Sequence, residues 1–230
     1  MASVLAWDST TPTASSGQKD KHVTPAALRG LYAITDETLI PESAFVATVE
    51  QALRGGAAII QYRDKSGNEA KRLEQATALR SLCGEYNACL IINDDIRLAK
   101  AVDANGVHLG EEDVSIEQAR LMLGEDAIIG VSCYNQLQSA IEAQAAGADY
   151  VAFGAVFTSP TKPSARPANC ELIREAKSLL DIPLCAIGGI DKSNVEPVID
   201  AGADMTALIS GLFSEADIAL TAKYISGLFD

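Results

Sequence analysis

The sequence of 230 residues contains no apolar run near the roughly 20 residues a membrane-spanning helix needs. Its first residues also lack the apolar core of about 7–15 residues that marks a secretory signal. Cations are scarce: 18 Lys and Arg stand against 31 Asp and Glu, a net charge of −13. That balance excludes a broad nucleic-acid or anionic-membrane surface, because such surfaces bind through excess Lys and Arg. A small anionic ligand stays open, since a few cations focused in a cleft outweigh the global charge locally. The 5 cysteines (Cys83, Cys89, Cys133, Cys170, Cys185) form neither a CxxC pair nor a Cys/His cluster at metal spacing. Cys89 and Cys185 lie inside apolar runs, so small buried thiols in a reducing compartment are expected. What is present is ordinary for a soluble globular chain: 48% hydrophobic, 21% charged and 5% aromatic residues. The expectation is a single-domain cytoplasmic protein.

Residues 1–27 are rich in Ser, Thr and Ala without periodicity and read as a flexible N-terminal extension. From residue 28 to 230, short apolar runs alternate with longer amphipathic segments. Strand-like runs fall at 31–35, 59–62, 90–93, 107–109, 128–132, 150–153, 184–187 and 205–209. Helical spacing is clear at 45–53, 68–86, 115–123, 136–145, 170–180 and 194–200. A weak repeat places glycine or Asn-Gly just before several strands, as in Arg54-Gly55-Gly56-Ala57, Ala146-Gly147-Ala148-Asp149 and Ala201-Gly202-Ala203-Asp204. Glycine there lets a helix end in a left-handed turn. Eight runs with short returns predict one α/β domain, a single (β/α)8 TIM barrel. No GxGxxG follows the first run, which disfavours a dinucleotide-binding doubly wound sheet.

In such barrels the active site lies at the carboxyl ends of the strands. Polar residues gather at those ends: Gln61, Arg63 and Lys65; Asn93 and Asp94; His108 and, further on, Asp113; Ser132; Gly188-Gly189; and Ser210. After the sixth run comes Thr158-Ser159-Pro160-Thr161-Lys162, which joins hydroxyls to a cation. Gln61, Arg63 and Lys65 alternate along an extended segment and predict an anion claw. Asp94 and Asp113 have two readings. They cap the helices that follow them, or they share a hard divalent cation with phosphate oxygens. Gly189 and Ser210 mark the loops after the seventh and eighth strands, where this fold commonly holds phosphate. For His108 a packing or hydrogen-bonding role at the strand end is expected.

Taken in order, Gln61-Tyr62-Arg63-Asp64-Lys65, Ile92-Asn93-Asp94, Gly106-Val107-His108-Leu109-Gly110 with Asp113, Gly130-Val131-Ser132, Ser159-Pro160-Thr161-Lys162-Pro163 and Ala186-Ile187-Gly188-Gly189-Ile190 resemble the thiamine-phosphate synthase family. The resemblance implies a transferase of thiamine biosynthesis. It would join 4-amino-2-methyl-5-hydroxymethylpyrimidine diphosphate to 4-methyl-5-(2-hydroxyethyl)thiazole phosphate, releasing diphosphate and forming thiamine phosphate. It further implies that Gln61, Arg63, Lys65, Asn93, Ser132 and Lys162 hold the pyrimidine diphosphate, with Arg63, Lys65 and Lys162 in catalytic positions. Asp94 and Asp113 would hold Mg2+, and Ser159, Thr161, Gly189, Ile209 and Ser210 the thiazole phosphate. Where the family often reads Pro-Thr-x-Thr-Lys, this chain has Ser159, which keeps the hydroxyl.

The partners expected are these small molecules, with neither nucleic acid nor membrane, and a homo-oligomer is left open. Two rivals differ in kind. A thiazole tautomerase-like barrel would need a catalytic histidine and no diphosphate claw, and a non-catalytic phosphate-binding barrel would need no metal carboxylates.

Overall fold

The computed structural model describes residues 28–157 and 168–230. Eight parallel strands close into a barrel in chain order: β1 Gly30–Ile34, β2 Ile59–Tyr62, β3 Cys89–Asn93, β4 Gly106–Leu109, β5 Ile128–Tyr134, β6 Tyr150–Phe153, β7 Leu184–Ile187 and β8 Met205–Leu208. Closure is visible at Tyr32, which pairs with Ile59 on β2 and Ala207 on β8. The expected (β/α)8 barrel is present, and each predicted run forms a strand within two residues of its expected ends. The expected extension 1–27 lies outside the described residues.

The helices are α1 Phe45–Arg54, α2 Glu69–Glu85, α3 Ile96–Ala101, α4 Ile116–Leu123, α5 Leu137–Ala145, α6 Cys170–Leu179, α7 Glu196–Asp200, α8 Ser210–Phe213 and α9 Ile218–Ser226. Apolar spacing did not single out α3, α8 or α9. The first two, at six and four residues, are too short to display a 3.6-residue period. Helix α9 packs against α1 where Gly55 leaves room: a Cβ there would sit 2.3 Å from the Cβ of Ala222. The Arg29 guanidinium donates to the Phe229 carbonyl at 2.8 Å and ties the chain's end to the entry of β1.

Alternate strand residues divide between two apolar layers, as a pleated strand requires. Leu31, Ala33, Ile60, Leu90, Ile92, Val107, Ile129 and Val151 pack outward under the helices. Tyr32, Ile34, Ile59, Cys89, Ile91, Tyr150, Cys185 and Met205 fill the barrel interior. One interior position is empty by design of the sequence. Gly130 stands between His108 on β4 and Tyr150 on β6 in the strand register. A Cβ at Gly130 would lie 2.0 Å from the Tyr150 ring. With no side chain between them, His108 and Tyr150 stack with centroids 5.6 Å apart. All 5 cysteines are free, and Cys83, Cys89, Cys133 and Cys185 are buried as expected.

Candidate active site

The carboxyl ends of the strands form one rim, and the inward phase of β2 sends Gln61 down into it. Its buried amide donates through Nε2 to the Tyr32 hydroxyl at 2.8 Å. Two residues on, the Arg63 N–H donates to Thr35 Oγ1 at 2.8 Å, and that hydroxyl donates back to the Arg63 carbonyl at 3.1 Å. This reciprocal pair fixes the loop after β2 to the loop after β1. The Arg63 guanidinium stands 3.6 Å from Asp36 and 3.9 Å from Glu37. Lys65 turns elsewhere, its Nζ lying 2.5 Å from Asp94 Oδ2. The predicted claw is therefore spread across the rim: Gln61 in the barrel mouth, Arg63 beside an acidic loop, Lys65 beside Asp94.

Local structure decides between the two readings of the aspartates. Helix α3 is capped by Asp95, whose carboxylate accepts from the N–H groups of Arg97 and Leu98 at 3.0 and 2.9 Å. Helix α4 is capped by Ser115, which accepts from the Gln118 N–H while Gln118 Oε1 accepts from the Ser115 N–H. Neither cap is Asp94 or Asp113, so the helix-cap alternative falls for both. Asp94 adopts a left-handed φ of 61°, an uncommon conformation for a residue with a side chain. That turn, at the end of β3 beside Asn93, leaves its carboxylate at the rim. Asp113 accepts from the Gly110 N–H at 2.7 Å. Its carboxyl is pushed above the usual carboxylate range, first by burial and then by the neighbouring Asp94 carboxylate, with the Gly110 N–H and Lys65 opposing.

Across the mouth, five side chains join in one line. The Tyr32 and Tyr150 hydroxyls are 2.8 Å apart, Tyr150 Oη is 3.0 Å from His108 Nδ1, and His108 Nε2 is 2.9 Å from Ser132 Oγ. With Gln61 at the other end, the line connects two residues expected to touch the same substrate. Burial pushes the imidazole down to about 4, with Asp94 opposing the shift, and holds both phenols above their ordinary value.

A separate small cleft opens between the ends of β7 and β8, lined by Gly188, Gly189, Ile209, Ser210 and their neighbours. Gly188 takes φ 101°, and a Cβ there would lie 2.5 Å from that of Ala155, so only glycine fits this turn without displacement. Asn194 Nδ2 donates to the Gly189 carbonyl at 2.9 Å and fixes the loop. The predicted residues Ser159, Thr161 and Lys162 lie outside the described residues.

Sequence reasoning missed Tyr32, Tyr150, Asp36 and Glu37. The tyrosines were hidden inside apolar runs. Their signal was phase: Tyr32 shares the inward face of β1 with Ile34, whose register partner on β2 is Gln61. Among the described residues, no group of three or more His, Cys, Asp or Glu gathers at metal-binding distance. No helix among them is long and apolar enough to cross a membrane.

A closed parallel barrel with a cation beside two uncapped carboxylates and a glycine-lined cleft across the mouth defines a barrel enzyme suited to phosphorylated small molecules. A family model described as thiamine monophosphate synthase matches residues 31–212. The thiamine-phosphate synthase of Thioalkalivibrio sulfidiphilus is 50% identical over 203 residues, covering 88% of this chain and 96% of that protein. That of Nitrosococcus oceani is 51% identical over 197 residues, covering 86% and 91%. The solved structure of a thiamine phosphate pyrophosphorylase from Pyrococcus furiosus superposes with a TM-score of 0.81 at 38% identity, covering 88% and 96%. The chain belongs to the thiamine monophosphate synthase family, and it is a transferase of thiamine biosynthesis.

Proposed function

We propose that the chain performs the family reaction in the mouth of this barrel, with the pyrimidine diphosphate on the Gln61–Ser132 side and the thiazole phosphate in the cleft at Gly189 and Ser210. Lys65 beside Asp94 and Asp113, two carboxylates left free of helix-capping duty, is the observation that carries this placement. The thiazole nitrogen already holds a free lone pair, so no general base is required. A carbon–nitrogen bond forms at the pyrimidine methylene, the carbon–oxygen bond to diphosphate breaks, and the electron pair leaves with diphosphate. Arg63, Lys65 and Lys162 stabilise the charge growing on that leaving group, as cations placed at a developing negative charge do.

The donor set fits Mg2+. Adjacent hard carboxylates, one of them pushed up by burial and then by its neighbour, gain from a cation between them. Asp94 and Asp113 would hold the ion, and one or two carboxylates beside a phosphorylated substrate are the usual protein share of a Mg2+ site. Bound there, Mg2+ supplies Lewis-acid stabilisation of the departing diphosphate. The free cysteines support a reducing, cytoplasmic setting.

The test is diphosphate release with both substrates, with and without Mg2+. Release that requires both substrates and Mg2+ is expected. A barrel that only binds phosphate, or one that only isomerises a thiazole, releases none.

A further inference from the structure

The line from Gln61 to Ser132 has a direction. Its first member is a donor: the Gln61 amide nitrogen gives a proton to Tyr32 Oη at 2.8 Å. Having accepted there, Tyr32 keeps a hydroxyl proton whose partner in the barrel interior is Tyr150 Oη at 2.8 Å. Tyr150 then gives its own proton to His108 Nδ1 at 3.0 Å. An imidazole that accepts at Nδ1 and is neutral carries its proton on Nε2, and that atom lies 2.9 Å from Ser132 Oγ. Run in reverse, Tyr32 would accept from both sides, and its proton would be left without an acceptor. A buried donor left unmet is destabilising, because it has given up its bond to water for nothing.

We propose that Tyr32, Tyr150 and His108 are positioning residues: the one-way chain holds His108 as the Nε2–H tautomer and thereby leaves the Ser132 hydroxyl proton free to donate into the barrel mouth, toward the diphosphate oxygens. This rests on placing the pyrimidine diphosphate against Ser132, as above. Neither ring nitrogen of His108 faces a carboxylate, which suits a neutral ring. Gly130 is part of the device, because its missing side chain lets the His108 and Tyr150 rings stack and meet. A donor fixed before substrate arrives needs no rearrangement as charge develops on the leaving group. Its effect therefore falls on turnover rather than on thiazole phosphate binding.

The experiment combines nitrogen-15 NMR of the histidine rings with kinetics of Tyr150→Phe and Tyr32→Phe, each of which keeps the ring and removes one link. The expected spectrum of the unaltered protein shows neutral His108 protonated at Nε2. In Tyr150→Phe the expected result is a kcat lowered about 10-fold, with KM for thiazole phosphate held within about 2-fold. Tyr32→Phe, two links further from Ser132, should lower kcat by less. A His108 protonated at Nδ1 in the unaltered protein overturns the proposal, as does a Tyr150→Phe enzyme with unchanged kcat. Should Tyr150→Phe fail to fold, an unchanged kcat in Tyr32→Phe has the same consequence. A protein that releases no diphosphate at all would sink the assigned reaction, while the His108 tautomer would still decide the chain.

Discussion

Lys65 Nζ lies 2.5 Å from Asp94 Oδ2, although the two residues stand on loops that follow different strands. The Lys65 side chain is half open to water, so the pair adds little to stability. Its consequence is placement: a cation is already at the carboxylate where Mg2+ is proposed to bind. A phosphorylated substrate bound at that carboxylate would meet the Lys65 ammonium as well.

Removing either proposed metal carboxylate tests that placement. Asp94→Asn or Asp113→Asn should weaken Mg2+ dependence and lower turnover at least about 10-fold, roughly 1.4 kcal/mol of barrier. Thiazole phosphate binding, followed alone by calorimetry, should change little. Both variants turning over at the original rate under limiting Mg2+ would remove the metal from Asp94 and Asp113.

Ser210 offers the complementary test on the other side of the mouth. A hydroxyl bonded to a charged phosphate contributes about 1.5–3 kcal/mol. Ser210→Ala should accordingly raise KM for thiazole phosphate by at least about 10-fold and leave the Mg2+ dependence as it was. The reverse pattern, with altered Mg2+ dependence and unchanged KM, would mean that the cleft between β7 and β8 is not the thiazole phosphate site.

Gly130→Ala places a Cβ about where the Tyr150 ring already lies, at 2.0 Å. Overpacking of this kind costs typically about 1–3 kcal/mol. For a domain of this size that is roughly 2–4 °C of Tm per kcal/mol, readable by calorimetry. A Tm equal to the original would show that the ring shifts aside without cost.

Stability should fall with acid in two stages. Burial pushes His108 from 6.5 down to about 4, so the unfolded chain takes up that proton first and stability declines as pH drops through this interval. For Asp36 and Asp64 burial acts upward, but it is outweighed. Hydrogen bonds from Thr38 and Leu39, with Arg63, hold Asp36 below its ordinary 3.8, and those from Lys71 and Ser66 do the same for Asp64. Their contribution is present above 3.8 and is lost as pH falls through the lowered values. Asp113, shifted the other way, offsets part of the loss. Urea midpoints measured against pH should show both stages. His108→Asn should flatten the first and leave the second, and an unchanged slope above pH 4 would rule out the buried neutral imidazole.

The residues most legible in the sequence were those whose roles depend on local periodicity. Eight apolar runs at strand length, separated by amphipathic segments, required a parallel sheet covered by helices, and the rim residues followed because strand ends are fixed along the chain. Whether an aspartate caps a helix or stays free turns on which residue first adopts helical backbone angles. The first such residues are Ile96 and Ile116, so the capping positions fell to Asp95 and Ser115, one and two residues beyond the aspartates in question. The link between Gln61 and Ser132 was less accessible still. Period-two alternation says which side chains share one face of a strand, but it carries no distance across a closed barrel. Only closure in this register, with Gly130 vacating the position between His108 and Tyr150, brings residues from β1, β2, β4, β5 and β6 within hydrogen-bond reach of one another.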